Sequence, residues 1–225
     1  MNRNEIKKRT LRAINDDPDA PVFFTDAQLN ALVDEANEVL TEETGAVHRT
    51  ALIPLRPGMR FIYTPSVAPD IMAPTRLWSH IDNRKLVCLS MEELDGIQER
   101  WTQITGGPPQ VWFPLSWDMF GIYPSAAAAG GVLRMDYLAW PRPLMDDLDE
   151  PEMPEATQDA MVLYGQYLGI LKKWDSQNAM IAAQALQAHK SVAGARSGIS
   201  KINFRSFQRM QRPHADFGSA LNVGD

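Results

Sequence analysis

Helical periodicity occupies both ends of the sequence and is missing from its middle, and this pattern constrains the fold more than any other feature. Near the start, Ile6, Thr10, Ala13 and Ile14 share one face of a short helix. The run Asn15-Asp16-Asp17-Pro18 must end it, because proline pushes the residue before it out of helical conformation. After an acidic, proline-punctuated loop over 15–24, a second helix is expected over 26–43. Thr25 and Gln28 have the spacing of a capping box, and Leu29, Leu32, Val33, Ala36, Val39 and Leu40 form one apolar stripe. Gly45 suits the stop. Far along the chain, residues 156–174 carry Ala160, Met161, Tyr164, Tyr167, Leu168 and Leu171 on one side. Residues 177–193 carry Ala179, Ala182, Ala183 and Leu186 on a narrow face of small residues.

Between these ends, from 47 to 140, short runs alternate with turn residues. Thr50 to Leu55 reads as a strand, Pro57-Gly58 as a type II turn, and Arg60 to Thr64 as the returning partner. Thr75 to Ile81 and Arg84 to Leu89 flank Asp82-Asn83 as a second hairpin. Val111 to Phe113, Met119 to Tyr123 and Val132 to Trp140 are further strands. Ser90 and Glu93 can box the start of a helix running to about Trp101. The reading is an α+β fold: a helical bundle formed from both ends of the chain, 1–46 and 141–198, with a central β-rich insertion over 47–140. An extended C-terminal arm follows over 199–225. The stretch 141–155 is rich in Pro, Asp and Glu and reads as an extended link with a solvated charge run. Its prolines keep the carboxylates from converging on a hard cation.

The chain of 225 residues has a net charge of −6, which argues against nucleic acid as the partner of its whole surface. Its single cysteine, Cys88, sits in the apolar run Leu86-Val87-Cys88-Leu89 and reads as a buried structural thiol. No run approaches the roughly 20 apolar residues that cross a bilayer. No apolar stretch follows Met1-Asn2-Arg3-Asn4-Glu5-Ile6-Lys7-Lys8, so a soluble, unexported protein is expected. Catalytic spacing is absent. His48, His80, His189 and His214 are scattered, Gly130-Gly131 lacks the Lys-Ser/Thr of a phosphate loop, and no Gly-x-Ser-x-Gly elbow occurs. The expectation is a protein without catalytic residues, cofactor or metal.

Two features point instead to binding. The tryptophans have two readings, core or edge packing and interface anchoring; Trp112 and Trp117, which flank Pro114, are expected to anchor an interface, since an indole offers a large apolar area and one donor. The arm interleaves Ile202, Phe204, Phe207 and Met210 with Arg205, Arg209 and Arg212. Apolar groups supply burial and guanidinium groups meet acidic rims, which suits a segment that orders on a partner. A solvated tail and a DNA-binding arm are the other readings of the same residues.

The order of these pieces resembles the head-to-tail adaptor family of tailed bacteriophages. The resemblance starts in the helix Thr25-Asp26-Ala27-Gln28-Leu29-Asn30-Ala31-Leu32-Val33-Asp34-Glu35-Ala36-Asn37 and continues through Leu94 to Trp101 and Gly107-Pro108. It then takes in Gly121-Ile122-Tyr123-Pro124, Val132-Leu133-Arg134-Met135-Asp136-Tyr137, Pro143-Leu144 and Met153-Pro154 before the closing helices. It implies a non-enzymatic virion protein of the neck, made in the host cytoplasm and assembled as a homo-oligomeric, dodecameric ring. The ring would join the portal protein to a tail or nozzle protein, with DNA passing through it without sequence-specific binding. On that reading Ile202, Phe204, Arg205, Phe207, Arg209, Met210 and Arg212 dock on the portal, and Trp112 and Trp117 meet the tail component. Another tail or neck subunit, such as a tail-completion or nozzle-associated protein, is the nearest alternative. A small host-directed enzyme is the alternative from a different class.

Overall fold

The computed structural model describes residues 1–80, 83–104, 106–116, 118–126, 131–173 and 180–193. In chain order its elements are α1 (Arg3–Ala13), α2 (Asp26–Thr44), β1 (His48–Pro54), β2 (Phe61–Tyr63), β3 (Ile71–Ser79), β4 (Arg84–Lys85), β5 (Val87–Cys88), α3 (Met91–Ile97), β6 (Val111–Ser116), β7 (Met119–Tyr123), β8 (Val132–Ala139) and α4 (Glu155–Lys173). Residues 180–193 form a further helix, α5. The fold is α+β. The described residues fall into two compact units, one holding Met1–Val47 and the later chain from Ala139, the other His48–Leu138.

In the helical unit, α2 begins and ends as its sequence dictates. Thr25 accepts from the Gln28 backbone N–H, the Gln28 side chain accepts from that of Thr25, and Gly45 closes the helix at φ 57°. α1 and α2 both pack on α4. The shared core includes Ile6, Leu11, Ile14, Phe24, Leu29, Leu32, Val33, Ala36 and Leu40. Each fully buried aliphatic side chain of this kind contributes roughly 1.5–3 kcal/mol. The buried line of α4 differs from the expected one. Leu171 is exposed, and Gly165 and Gly169 take the closest approach. A Cβ on Gly165 would lie 2.9 Å from Leu32 Cδ2 and from Thr10 Cγ2. The missing side chains let α1 and α2 come up against the α4 backbone. In α5 the buried positions are Ala182, Ala185, His189 and Ala193, while Ala183 faces solvent. His189 fixes that rotation, with Nδ1 2.8 Å from Ala160 O, Nε2 2.9 Å from Glu43 Oε2, and its ring beside Tyr164.

The second unit holds two four-stranded sheets, ordered β1-β8-β3-β4 and β2-β7-β6-β5. One local pairing expected from the sequence is replaced by distant ones, and a second is kept only in part. The chain turns at Arg56–Met59, where Met59 N–H donates to Arg56 O and Gly58 sits at φ 74°. The next strand, β2, does not return on β1 but pairs with β7 in register Phe61↔Gly121, and β1 takes β8 as its partner. The expected strand over Arg84–Leu89 is split. β4 pairs with β3, through Trp78↔Lys85 and Ser79↔Arg84, while β5 runs parallel to β6 in the other sheet. Buried Leu86 sits at the step between them.

Capping at α3 is as expected, with Ser90 and Glu93 bonded reciprocally, but the helix ends at Ile97. Trp101 lies beyond it, edge-on to Phe113 at 5.1 Å, and its Nε1 donates to Asp95. The Phe113 ring covers Gly121, where a Cβ would come within 2.2 Å of it.

Glycine at 165 is therefore a packing requirement, whereas Gly96 in α3 faces open space. Gly165→Ala is expected to lower the unfolding free energy by roughly 1–3 kcal/mol through overpacking. Gly96→Ala, in a helix interior, should leave stability equal or raise it by up to about 1 kcal/mol. Urea unfolding of both variants separates the two environments, and equal effects would contradict the packing described.

Candidate partner-binding surfaces

The buried stripe of α1 contains two cations among its apolar residues, Arg3 and Lys7, 5% and 4% exposed. Their head groups converge on two neighbours. On α2, Arg3 meets Asp34 at 2.8 Å, and Lys7 meets Asp26 at 2.9 Å and Asn30 at 3.0 Å. On the link before α4, the Arg3 guanidinium donates to the Leu144 carbonyl and Lys7 pairs with Asp147 at 2.6 Å. Burial works to lower the Lys7 pKa, but the hydrogen bonds and charges of Asp147 and Asp26 outweigh it and raise the value. The Lys7 hydrogen bond and charge hold the Asp26 carboxyl below its ordinary range. Asp34 goes the other way, pushed up by burial against the charge of Arg3.

These contacts shape the link into a fixed turn over 144–149, while Asp146, Asp147, Glu150 and Glu152 remain exposed as expected of a solvated charge run. The first amides of α1 have no partner within their own helix. Arg3 N–H donates to Asp149 O at 2.9 Å and Asn4 N–H to Asp147 O at 3.0 Å. The Asp149 carboxylate accepts from the N–H groups of Met145 and Asp146, and Asp149 N–H donates to Asp146 O. Leu144 is buried beneath the turn, while Met145 and Leu148 project at 77% and 79% exposure. Two large apolar side chains so exposed, on a backbone held by two buried cations, form a preorganised anchor with an acidic rim from Asp146 and Glu150.

A second surface is the open face of the β1-β8-β3-β4 sheet. Side chains two residues apart on a strand share a face. Thr50 Oγ1 donates to Asp136, Arg134 Nε donates to the same carboxylate, and Arg76 reaches it at 3.5 Å. Leu52 pairs across the strands with Arg134, and Trp78 pairs with Lys85. This face therefore groups Leu52, 62% exposed, and half-buried Trp78 with Arg76, Arg134 and Lys85. Asp136 is the carboxylate among them, so positive charge is in excess. The opposite face, with Ile53, Leu133, Met135 and Leu77, is buried.

Of the residues expected to bind partners, Trp112 is 1% exposed and packs edge-on to Phe120 at 5.9 Å. Its indole is a core side chain, in a stretch of β6 where Val111, Trp112 and Phe113 in succession are all buried; this corrects the interface expectation. Trp117 and the arm residues Ile202, Phe204, Arg205, Phe207, Arg209, Met210 and Arg212 lie outside the described residues. Sequence reading passed over Met145, Leu148 and Leu52, and did not single out Trp78 from the other tryptophans. The available signals were an apolar pair inside an acidic run and the alternation of Thr50, Leu52 and Pro54.

Burial pushes the Cys88 thiol up to about 12, with Glu93 adding to the effect, so it stays protonated and unreactive at neutral pH. His48 and His80 are exposed on the β-rich unit, His189 is buried between helices, and His214 is not described. Among the described residues no group of three or more His, Cys, Asp or Glu is placed to hold a metal ion. No described helix is long and apolar enough to cross a membrane.

The two acid–base shifts at Lys7 and Asp26 set a pH window for the contacts of Lys7. The depressed Asp26 contributes stability that is present above 3.8 and lost as pH falls through its lower folded value. The raised Lys7 contributes stability that is full below 10.5 and lost as pH rises through its higher folded value. Lys7→Met should therefore melt below the wild type at neutral pH, with the gap closing at both extremes. Melting temperatures from pH 2 to 12 check this, and a gap independent of pH would show that packing, not charge, makes the difference.

Among known protein families, the model described as SU10 adaptor protein matches residues 1–214 of the chain. No curated protein matches it.

Proposed function

Since the chain belongs to the SU10 adaptor protein family, a family of phage head–tail adaptors, we propose that it forms a ring in the neck of a tailed bacteriophage and links the portal vertex to the tail. The family match along nearly the whole chain carries this reading. The surfaces agree with it in kind: they offer apolar anchors and charge, the means of holding a partner. A closed ring of identical subunits, twelve in this proposal, passes DNA through its lumen without reading its sequence. Its subunits are made in the host cytoplasm and end in the virion neck.

In this proposal the segment after Gly198 docks on the portal. Phe204, Phe207, Ile202 and Met210 bury against it, and Arg205, Arg209 and Arg212 meet acidic or carbonyl groups. Twelve weak arms engaged together hold by avidity, which can exceed a single contact by roughly 10²–10⁴. Trp117 is the proposed contact toward the tail component.

The test removes residues 199–225 and mixes the truncated chain with tail-less heads. Loss of co-sedimentation, with an unchanged melting temperature, is expected. Undiminished binding would assign the attachment to the rest of the chain. Imaging of the virion neck checks the ring itself.

A further inference from the structure

We propose that the fixed turn over 144–149 is the half of the ring contact that each subunit presents to its neighbour, and that it docks on the open face of the β1-β8-β3-β4 sheet of the next copy. This rests on the ring reading above. Identical subunits that close by rotation must each carry two different, mutually complementary surfaces. The chain carries such a pair.

The turn offers two projecting apolar side chains, Met145 and Leu148, with Asp146 and Glu150 at its rim. The sheet face offers Leu52 and Trp78 with Arg134 and Lys85 beside them. Apolar groups meet apolar groups in the centre and carboxylates meet cations around it, the anatomy of a specific protein interface. Methionine against an indole adds a favourable sulfur–aromatic contact. The apolar content also favours a protein over nucleic acid as the occupant of the sheet face. A phosphate backbone would satisfy the cations but would leave Leu52 in water, and it would give Met145 and Leu148 nothing to enter. The backbone of the turn is already fixed by Arg3, Lys7 and Asp149, so docking orders only side chains.

The test uses the full chain bound to tail-less heads, with bound copies per head measured by gel densitometry and the ring inspected by electron microscopy. One variant reverses the turn, Asp146→Lys with Glu150→Lys. Another reverses the sheet face, Leu52→Glu with Lys85→Glu. All four side chains are exposed, and none holds the turn or the sheet together. Each variant alone should lower the bound copies at a fixed subsaturating concentration by about tenfold or more, since like charges then face each other across the contact. The variant carrying all four changes should bind at least about threefold more copies than either two-change variant, because opposite charges again oppose each other, and should stay below wild type because Leu52 is missing from the apolar centre. Complete rings formed by either single-surface variant would overturn the contact and leave the ring reading standing. So would a four-change variant that melts like wild type yet fails to recover. A neck image in which this chain forms no ring would overturn both.

Discussion

Two cations in the buried stripe of one short helix organise the helical unit. Arg3 and Lys7 occupy positions that periodicity would give to leucine, and each reaches toward both α2 and the link. Apolar packing alone would let α1 slide or rotate on its neighbours at little cost. A guanidinium that must meet Asp34 and a carbonyl at once admits one register. The arrangement is not efficient in stability. Arg3 Nε and Asp34 Oδ1 are buried without a hydrogen-bond partner among the described residues, and burial raises the Asp34 pKa against the charge of Arg3. Buried ion pairs of this kind specify an arrangement more than they strengthen it. Here the arrangement specified is the conformation of the turn, which would otherwise be an acidic, proline-rich strip of chain.

What could be read from the sequence was local. The capping boxes at Thr25 and Ser90, the glycine stop at Gly45 and the cores of β7 and β8 depend on residues within a few positions of one another. The pairing of β2 with β7, and the division of one apolar run into β4 and β5, are decided by segments far apart in the chain. No local pattern encodes them. The buried line of α4 was hidden for another reason. It runs through Gly165 and Gly169, and a reading that follows large apolar residues passes over the positions where a helix is approached most closely.

The candidate site shows the same division. Residue type pointed to Trp112, which stands in a stretch of β6 buried on both faces. Leu52 and Trp78 lie on different strands, β1 and β3, and they share a face only because β8 pairs between them. Met145 and Leu148 stand within a run whose composition suggests solvation. Their presentation depends on contacts with the first turn of α1, at the other end of the sequence. A binding surface assembled from distant segments leaves little trace in any one of them.

Among the described residues the β-rich unit is one uninterrupted stretch of the chain, and its two connections run side by side. Ala139 N–H donates to Val47 O, and His48 and Leu138 pair just beyond. A unit whose ends are one hydrogen bond apart can be exchanged by recombination for another of different size or strand number, provided the newcomer begins and ends on paired antiparallel strands. The helices need not be rerouted, because their core is closed by residues on either side of the junction.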